Sequence, residues 1–405
     1  MCSIVCFVMS TVNRPAAMDR EALRMVCSPQ FWRMAVVWTL SLLHSYLLVF
    51  LRGRVAATPR RRRPRPGGGR RPICVVTGAT SGLGRAAAAA LAREGYHVVL
   101  AGRSTQLLFE VLHMVFALDV LCYSLLLLSL PSSVEQTVQD IRRQQPDAHL
   151  ETFQLNLASY KSIKKFGTSL KQWIQETSSE PAIQLLVNSA GILAKSHRVT
   201  EDRLDEMIQT NYIGPFILTN ILLPLLKNSS VPSRVVNLTS FTHRCVSGID
   251  VSEDALRGMK FGQCSAGENY PLACTYEYTK LCLLMFSYEL HRQVHMSSGV
   301  SVIAADPGVV ETKIMRELPE CVSWFAFLVL RFLKLLQEPD TGVGAVLDAA
   351  LAPPEESGKY FFGGKGRTIG SSRLSYDTEV AKKLWAESSA VFKELLLREG
   401  DFRDS

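Results

Sequence analysis

Tyr276 and Lys280 stand four residues apart in Tyr276-Glu277-Tyr278-Thr279-Lys280, near the start of a stretch with helical character. That spacing puts a phenol and an ammonium on one helical face, where the fixed cation favours the ionised phenol. A free phenol titrates near pH ~10, too high for efficient proton transfer at neutral pH, and a neighbouring cation is one of the few ways to bring it down. The pair is therefore a proton donor and acceptor in waiting. Tyr278, two residues from Lys280, faces away. The same spacing also occurs on ordinary solvated helices, so the pair gains meaning only from what the rest of the chain sets beside it.

The elements that would position it begin at Ile73. Ile73-Cys74-Val75-Val76-Thr77 reads as a short buried strand, followed by Gly78-Ala79-Thr80-Ser81-Gly82-Leu83-Gly84 and an alanine-rich helix from Arg85. Strand, glycine loop and helix in that order suit a dinucleotide, because the glycines let the backbone approach a pyrophosphate and the helix N-terminus favours its charge. A second strand, His97 to Ala101, ends in Gly102-Arg103-Ser104, where an NAD-selective site would carry a carboxylate. Arg103 could instead pair with a 2′-phosphate, with Arg85 nearby, which predicts NADP(H); a solvated turn is the alternative. Strands are then expected at 149–155, 183–187, 234–238, 300–305 and 359–362, alternating with helices at 159–176, 201–227, 275–295 and 340–351. Such alternation predicts an α/β fold, a doubly wound parallel sheet of Rossmann type, with ligands beyond the carboxyl ends of the strands.

Charge is distributed unevenly. Residues 1–71 hold thirteen Arg and no Lys against Asp19 and Glu21, so +11 of the formal charge lies there and the rest of the +8 chain sums to −3. Nucleic acid is not an expected partner, because the positive charge belongs to a tail rather than to a folded body with interleaved aromatics. The ten cysteines form no Cys-x-x-Cys pair or zinc spacing, so no metal site is expected and reduced thiols are.

Residues 34–51 form an apolar run interrupted by His44 and small polar residues, with Trp32 and Trp38 suited to an interface. This is a candidate membrane anchor after an N-terminal extension over 1–33. Nine arginines follow between 52 and 71 in a Pro/Gly-rich linker, which predicts a body facing the cytosol. The endoplasmic reticulum is the expected membrane, with a plastid or lipid droplet as alternatives; a transit peptide or nuclear signal is the other reading of the arginines. A catalytic domain is expected over 72–375 and a C-terminal helix and tail over 376–405. Within the domain, residues 105–133 are apolar but carry Glu110, His113 and Asp119, each costly at a bilayer centre. They read as an insertion, since their removal would join Ser104 directly to a crossover helix at 134–143.

Asn188-Ser189-Ala190-Gly191, Thr239-Ser240 and Pro307-Gly308 each follow a predicted strand. Together with the glycine loop and Tyr276-x-x-x-Lys280, this order resembles the short-chain dehydrogenase/reductase family over about residues 71–365. The resemblance implies hydride exchange between a nicotinamide and a substrate carbon, with Tyr276 passing the proton and Ser240, rather than Thr239, bonding the substrate oxygen. Lys280 would lower the Tyr276 pKa and hold the nicotinamide ribose, and Asn211 would position a proton-relaying water. The resemblance also implies cofactor contacts from Gly78, Ser81, Gly82, Leu83, Gly84, Arg85, Arg103, Asn188, Ala190, Gly191, Pro307, Gly308, Val309 and Thr312. The family's adenine-contacting acid is Asn156 here, and residues 241–274 form a long extra loop. Val235-Val236-Asn237, Phe241-Thr242-His243, Pro339-Asp340-Thr341-Gly342 and Ser357-Gly358-Lys359-Tyr360-Phe361 are similar to the retinol-dehydrogenase-like and polyprenoid-acting membrane branch. That implies a small apolar alcohol or carbonyl, under a lid at 322–336, and allows for a homodimer. Two alternatives stay open: a dinucleotide-binding scaffold without turnover, and a product crippled by the 105–133 insertion.

Overall fold

Ile73–Thr77 is apolar at nearly every position, a pattern that leaves no face for water, and all five residues are buried. The computed structural model describes residues 25, 27–52, 54–55, 71–103, 133–177, 181–262 and 270–401. In chain order the strands are β1 (Arg54–Val55), β2 (Ile73–Thr77), β3 (His97–Gly102), β4 (Leu150–Gln154), β5 (Leu185–Asn188), β6 (Arg234–Leu238), β7 (Ser301–Asp306), β8 (Val309–Val310), β9 (Leu336–Gln337), β10 (Tyr360–Phe362) and β11 (Arg367–Thr368). The longer helices are α1 (Pro29–Arg52), α2 (Gly82–Arg93), α3 (Ser133–Gln144), α4 (Tyr160–Thr177), α5 (Gly214–Lys227), α6 (Leu272–Ser298), α7 (Glu320–Phe332), α8 (Pro339–Leu351) and α9 (Thr378–Asp401).

Among the described residues nine strands form one sheet in the order β1-β11-β10-β7-β6-β5-β2-β3-β4. From β10 to β4 every pairing is parallel, while β11 and β1 are added antiparallel at one edge. The order reverses between β2 and β5, where Cys74 to Val76 pair with Leu185 to Val187. This is the crevice at which doubly wound sheets bind ligands. One face of the sheet is covered by a core that includes Phe166, Phe216 and Phe286, the other by a core that includes Leu91, Val346 and Leu351. The doubly wound parallel sheet expected from the strand-helix alternation is therefore the observed fold.

Several elements differ in detail from the sequence expectation. Residues 201–205 are not helical; Asp205 instead caps the next turn, its carboxylate accepting from the amides of Met207 and Ile208. A π-helical turn follows at Gln209–Ile213. The expected linker contributes β1, which pairs with β11 at Arg54↔Thr368. The 105–133 insertion lies outside the described residues but for Ser133, which opens the expected crossover helix α3.

The N-terminal apolar helix is part of the packed body as well as a candidate membrane span. Pro29–Leu51 is long and apolar enough to cross one. Yet one side of α1 packs on the body, with Leu42 in a core shared with Phe241, Leu284 and Tyr360. The opposite stripe, Trp32, Val36, Leu40, Leu43, Leu47 and Phe50, is exposed.

Candidate active site

Helix α6 carries Tyr276 and Lys280 through the interior, because Leu281 to Phe286 bury it against the sheet. Ser240 lies two residues past the end of β6, with an extended backbone, and its Oγ accepts from the amide of Thr242 at 3.3 Å. Tyr276, Ser240 and Lys280 line a cavity of about 500 Å3 that is also lined by Gly78, Thr80 to Gly84, Arg103, Asn156, Ala190, Gly191 and Pro307 to Val310. That volume falls in the range of small-molecule sites, roughly 300–1,000 Å3.

The glycine loop is shaped by close approach. Gly78 has φ +65°, and a Cβ there would sit 2.9 Å from Ala190 Cα. At Gly84 an added Cβ would lie 2.2 Å from the Gly78 carbonyl oxygen. The loop is pinned to the next strand end, since the amides of Ser189 and Ala190 donate to Thr77 Oγ1 at 3.0 and 3.1 Å. A bare backbone cradle at the start of α2 is what a pyrophosphate needs, so the residues present fit a dinucleotide.

Electrostatics at the tyrosine run partly against the sequence expectation. Burial pushes the Tyr276 phenol up from its ordinary value and the nearby Asp306 carboxylate adds to this, while a hydrogen bond with Ser240 works in the opposite direction. Lys280 Nζ lies 5.5 Å from the centre of the Tyr276 ring and donates to the Leu238 carbonyl at 3.0 Å. Burial brings its own pKa down to about 8. Burial dominates at the phenol, so its shift is upward where the sequence predicts a lowering by Lys280. Asp306, buried at the end of β7, is raised to about 6 by burial while accepting from Tyr360 Oη at 2.6 Å and from the Gly308 amide at 2.8 Å.

The hydroxyl of Thr239 donates to the Lys280 carbonyl at 3.0 Å, which leaves Ser240 as the free choice for a substrate oxygen. His243 braces the same turn. Burial lowers its pKa to about 3, and its Nε2 accepts from the Ser372 amide at 3.2 Å, so the remaining ring nitrogen donates to the Ser240 carbonyl at 2.5 Å. Asn211, on the π-helical turn, accepts from the Ile192 amide at 2.8 Å and donates to the Ile192 carbonyl at 2.9 Å and Thr279 Oγ1 at 3.3 Å. It thereby holds the loop after β5 next to Lys280: a Cβ on Gly191 would be 3.4 Å from Asn211 Oδ1 and 3.6 Å from Lys280 Nζ.

Three nominated cofactor residues have other occupations. Asn188 is absent from the cavity wall; its amide donates to Thr219 Oγ1 and Asn237 Oδ1 at 3.0 and 2.8 Å, stitching β5 to its neighbours. Arg85 is also outside the wall and pairs with Asp140 on α3 at 3.5 Å, since its position on α2 points it along the helix surface. Asn156 lines the cavity, but its Oδ1 closes its own turn on the Ala158 amide at 3.1 Å. Ser81, Leu83, Val309 and Thr312 do line the cavity.

Sequence reasoning missed the contribution of α1. Met34, Trp38 and Leu42 line the cavity, and the Trp38 ring lies 5.6 Å from that of Tyr276, tilted by 41°. From the other side α7 adds Val322, Phe325 and Leu330. Arg33, immediately before the apolar run, is the available signal, because a charge beside such a helix calls for a partner.

A family model for short chain dehydrogenases matches residues 72–144 and 122–246. Retinol dehydrogenase 13 from Homo sapiens is 33% identical over 78% of this chain and 83% of its own length. Polyprenol dehydrogenase from Homo sapiens is 29% identical over 78% of this chain and 83% of its own. A crystal structure of an uncharacterised protein from Mycobacterium paratuberculosis superposes with a TM-score of 0.54 at 25% identity, covering 84% of this chain and 98% of that one. The chain belongs to the short-chain dehydrogenase/reductase family, in its retinol-dehydrogenase-like branch. It is an oxidoreductase of alcohols and carbonyls built to use a nicotinamide cofactor.

Proposed function

We propose that the protein is an NADP(H)-dependent oxidoreductase that interconverts an apolar alcohol of retinoid, polyprenoid or sterol type and its aldehyde or ketone, with Tyr276 as general acid and base. The observation that carries this reading is the presence of Tyr276, Ser240 and Lys280 in the wall of one cavity with the glycine loop and Arg103. When bound, the nicotinamide supplies or accepts the hydride. The chain does the rest. Gly78, Gly82 and Gly84 admit the pyrophosphate, and the exposed Arg103 meets the 2′-phosphate that distinguishes NADP(H).

Ser240 hydrogen-bonds the substrate oxygen and, by the same hydroxyl, the phenol. Tyr276 hands its proton to that oxygen during reduction and recovers it during oxidation. A phenol is protonated at neutral pH, the state from which proton donation to a carbonyl oxygen starts, and carbonyl reduction is the direction proposed. Lys280, an ammonium at neutral pH, steadies the tyrosinate formed once the proton has left and holds the nicotinamide ribose. Asn211 keeps the loop at Gly191 in register with Lys280.

Apolar lining from Trp38, Ile192, Leu318, Val322 and Phe325 supports an apolar substrate, as do relatives named for retinol and polyprenol. The outward stripe of α1 and the exposed Phe325, Leu328 and Phe332 of α7 support attachment to a bilayer, with the arginine run after α1 on the cytosolic face of the endoplasmic reticulum.

The test is NADPH oxidation by the detergent-solubilised full chain over a panel of prenyl, retinoid and sterol carbonyls. Tyr276→Phe is expected to lose at least about 100-fold in kcat/KM with NADPH affinity retained. Turnover that survives Tyr276→Phe removes the catalytic assignment. Wild-type protein that binds NADPH yet reduces nothing on the panel points to the scaffold.

A further inference from the structure

The polar contacts of α1 fall on the immediate neighbours of the two candidate catalytic groups. Arg33 clamps Glu277 with two bonds of 2.9 Å, and Trp38 Nε1 donates to the same carboxylate at 2.7 Å. Glu277 follows Tyr276, and successive helical residues diverge by about 100°, so the carboxylate faces α1 while the phenol faces the cavity. Ser41 Oγ donates to the carbonyl of Phe241, the residue after Ser240, at 2.8 Å. Glu277 is 1% exposed. A carboxylate this buried needs a cation and hydrogen-bond donors, and α1 supplies both. An apolar helix serving only as a tether needs no such clamp.

Resting on the reading of Tyr276 as the proton donor, we infer that α1 is a wall of the active site and that Trp38 is its positioning and specificity-determining residue. Its indole is fixed at one end by Glu277 and packs on the Tyr276 ring, 5.6 Å away, so it sets the tilt of the phenol and screens it from water. The rest of the indole lies in the cavity wall, where it takes the apolar chain of a long substrate. Arg33 and Glu277 act through Trp38 and touch no reacting atom.

The experiment uses the full chain in micelles with two aldehydes, hexanal as the short substrate and farnesal as the prenyl one, alongside NADPH affinity by fluorescence titration. Trp38→Ala is expected to lower kcat/KM for farnesal about tenfold more than for hexanal, the scale of an apolar contact in a specificity pocket. NADPH affinity stays at the wild-type value. Trp38→Phe keeps a ring without the Nε1 bond and is expected to recover part of the preference, which also secures the test if Trp38→Ala fails to fold. Glu277→Gln combined with Trp38→Phe should fall short of the sum of the single effects, because both break one clamp. Trp38 variants that discriminate the aldehydes as wild type does, or that weaken both equally together with NADPH affinity, overturn the inference. A Tyr276→Phe control that stays active sinks the functional reading instead, and the farnesal preference of the Trp38 variants still decides the wall.

Discussion

Lys280→Met should make the protein more stable at neutral pH while abolishing turnover. Lys280 is 5% exposed, and burial takes its pKa from 10.5 to about 8. At about 1.4 kcal/mol per unit of pH, holding the ammonium inside costs about 3 kcal/mol. Methionine carries no charge and forfeits the bond to the Leu238 carbonyl, worth about 1 kcal/mol, so the variant should gain about 2 kcal/mol at pH 7. The sign follows from proton binding. Because the folded pKa is the lower one, the unfolded chain binds more protons between about 8 and 10.5; the penalty is complete below 8 and fades as pH rises to 10.5. Beyond that only the lost bond remains, so the two stability curves should cross between about pH 9 and 10. Urea midpoints followed by tryptophan fluorescence at pH 7 and pH 10.5 measure both ends. A variant that is the less stable at pH 7, or a difference that ignores pH, would refute the reasoning.

Wild-type activity should decline as pH rises through about 8, where Lys280 loses its proton, and a profile flat to pH 10 would contradict that role. Arg103→Ala should weaken NADPH about 10- to 100-fold while sparing NADH, the scale of bonds to a charged phosphate, as read by fluorescence titration of both. Gly84→Ala should abolish cofactor binding, since the new Cβ would lie 2.2 Å from a backbone oxygen that cannot move without reshaping the loop. In flotation assays the full chain should bind vesicles containing anionic lipid more than neutral ones, with the difference lost at high salt, as expected of the nine arginines between 52 and 71.

What the sequence disclosed was periodic or local. Strands such as Ile73–Thr77 announce themselves as unbroken apolar runs, and the glycine loop and the Tyr276–Lys280 spacing encode their own geometry. The doubly wound sheet followed from their alternation. The docking of α1 did not. An apolar run has the same composition whether it meets lipid or a protein groove, and the pairing that decides between them joins Arg33 to Glu277 across 244 positions. Trp38 accordingly read as an interfacial aromatic. Position in a motif nominates Asn188 and Arg85, whereas the bonds their side chains make depend on neighbours such as Thr219 and Asp140. The π-helical turn that aims Asn211 has no sequence signature to read.

The seating of Leu42 bears on how such an enzyme is handled at the bench. A fragment starting near Pro72, the natural cut for removing a greasy leader, would strip the cover from Phe241, Leu284 and Tyr360 and leave one sheet edge, β11, without its outer partner. Sticky aromatic surface and an open strand edge are a recipe for clumping, so the shortened protein should precipitate where the whole one, in micelles, stays dispersed.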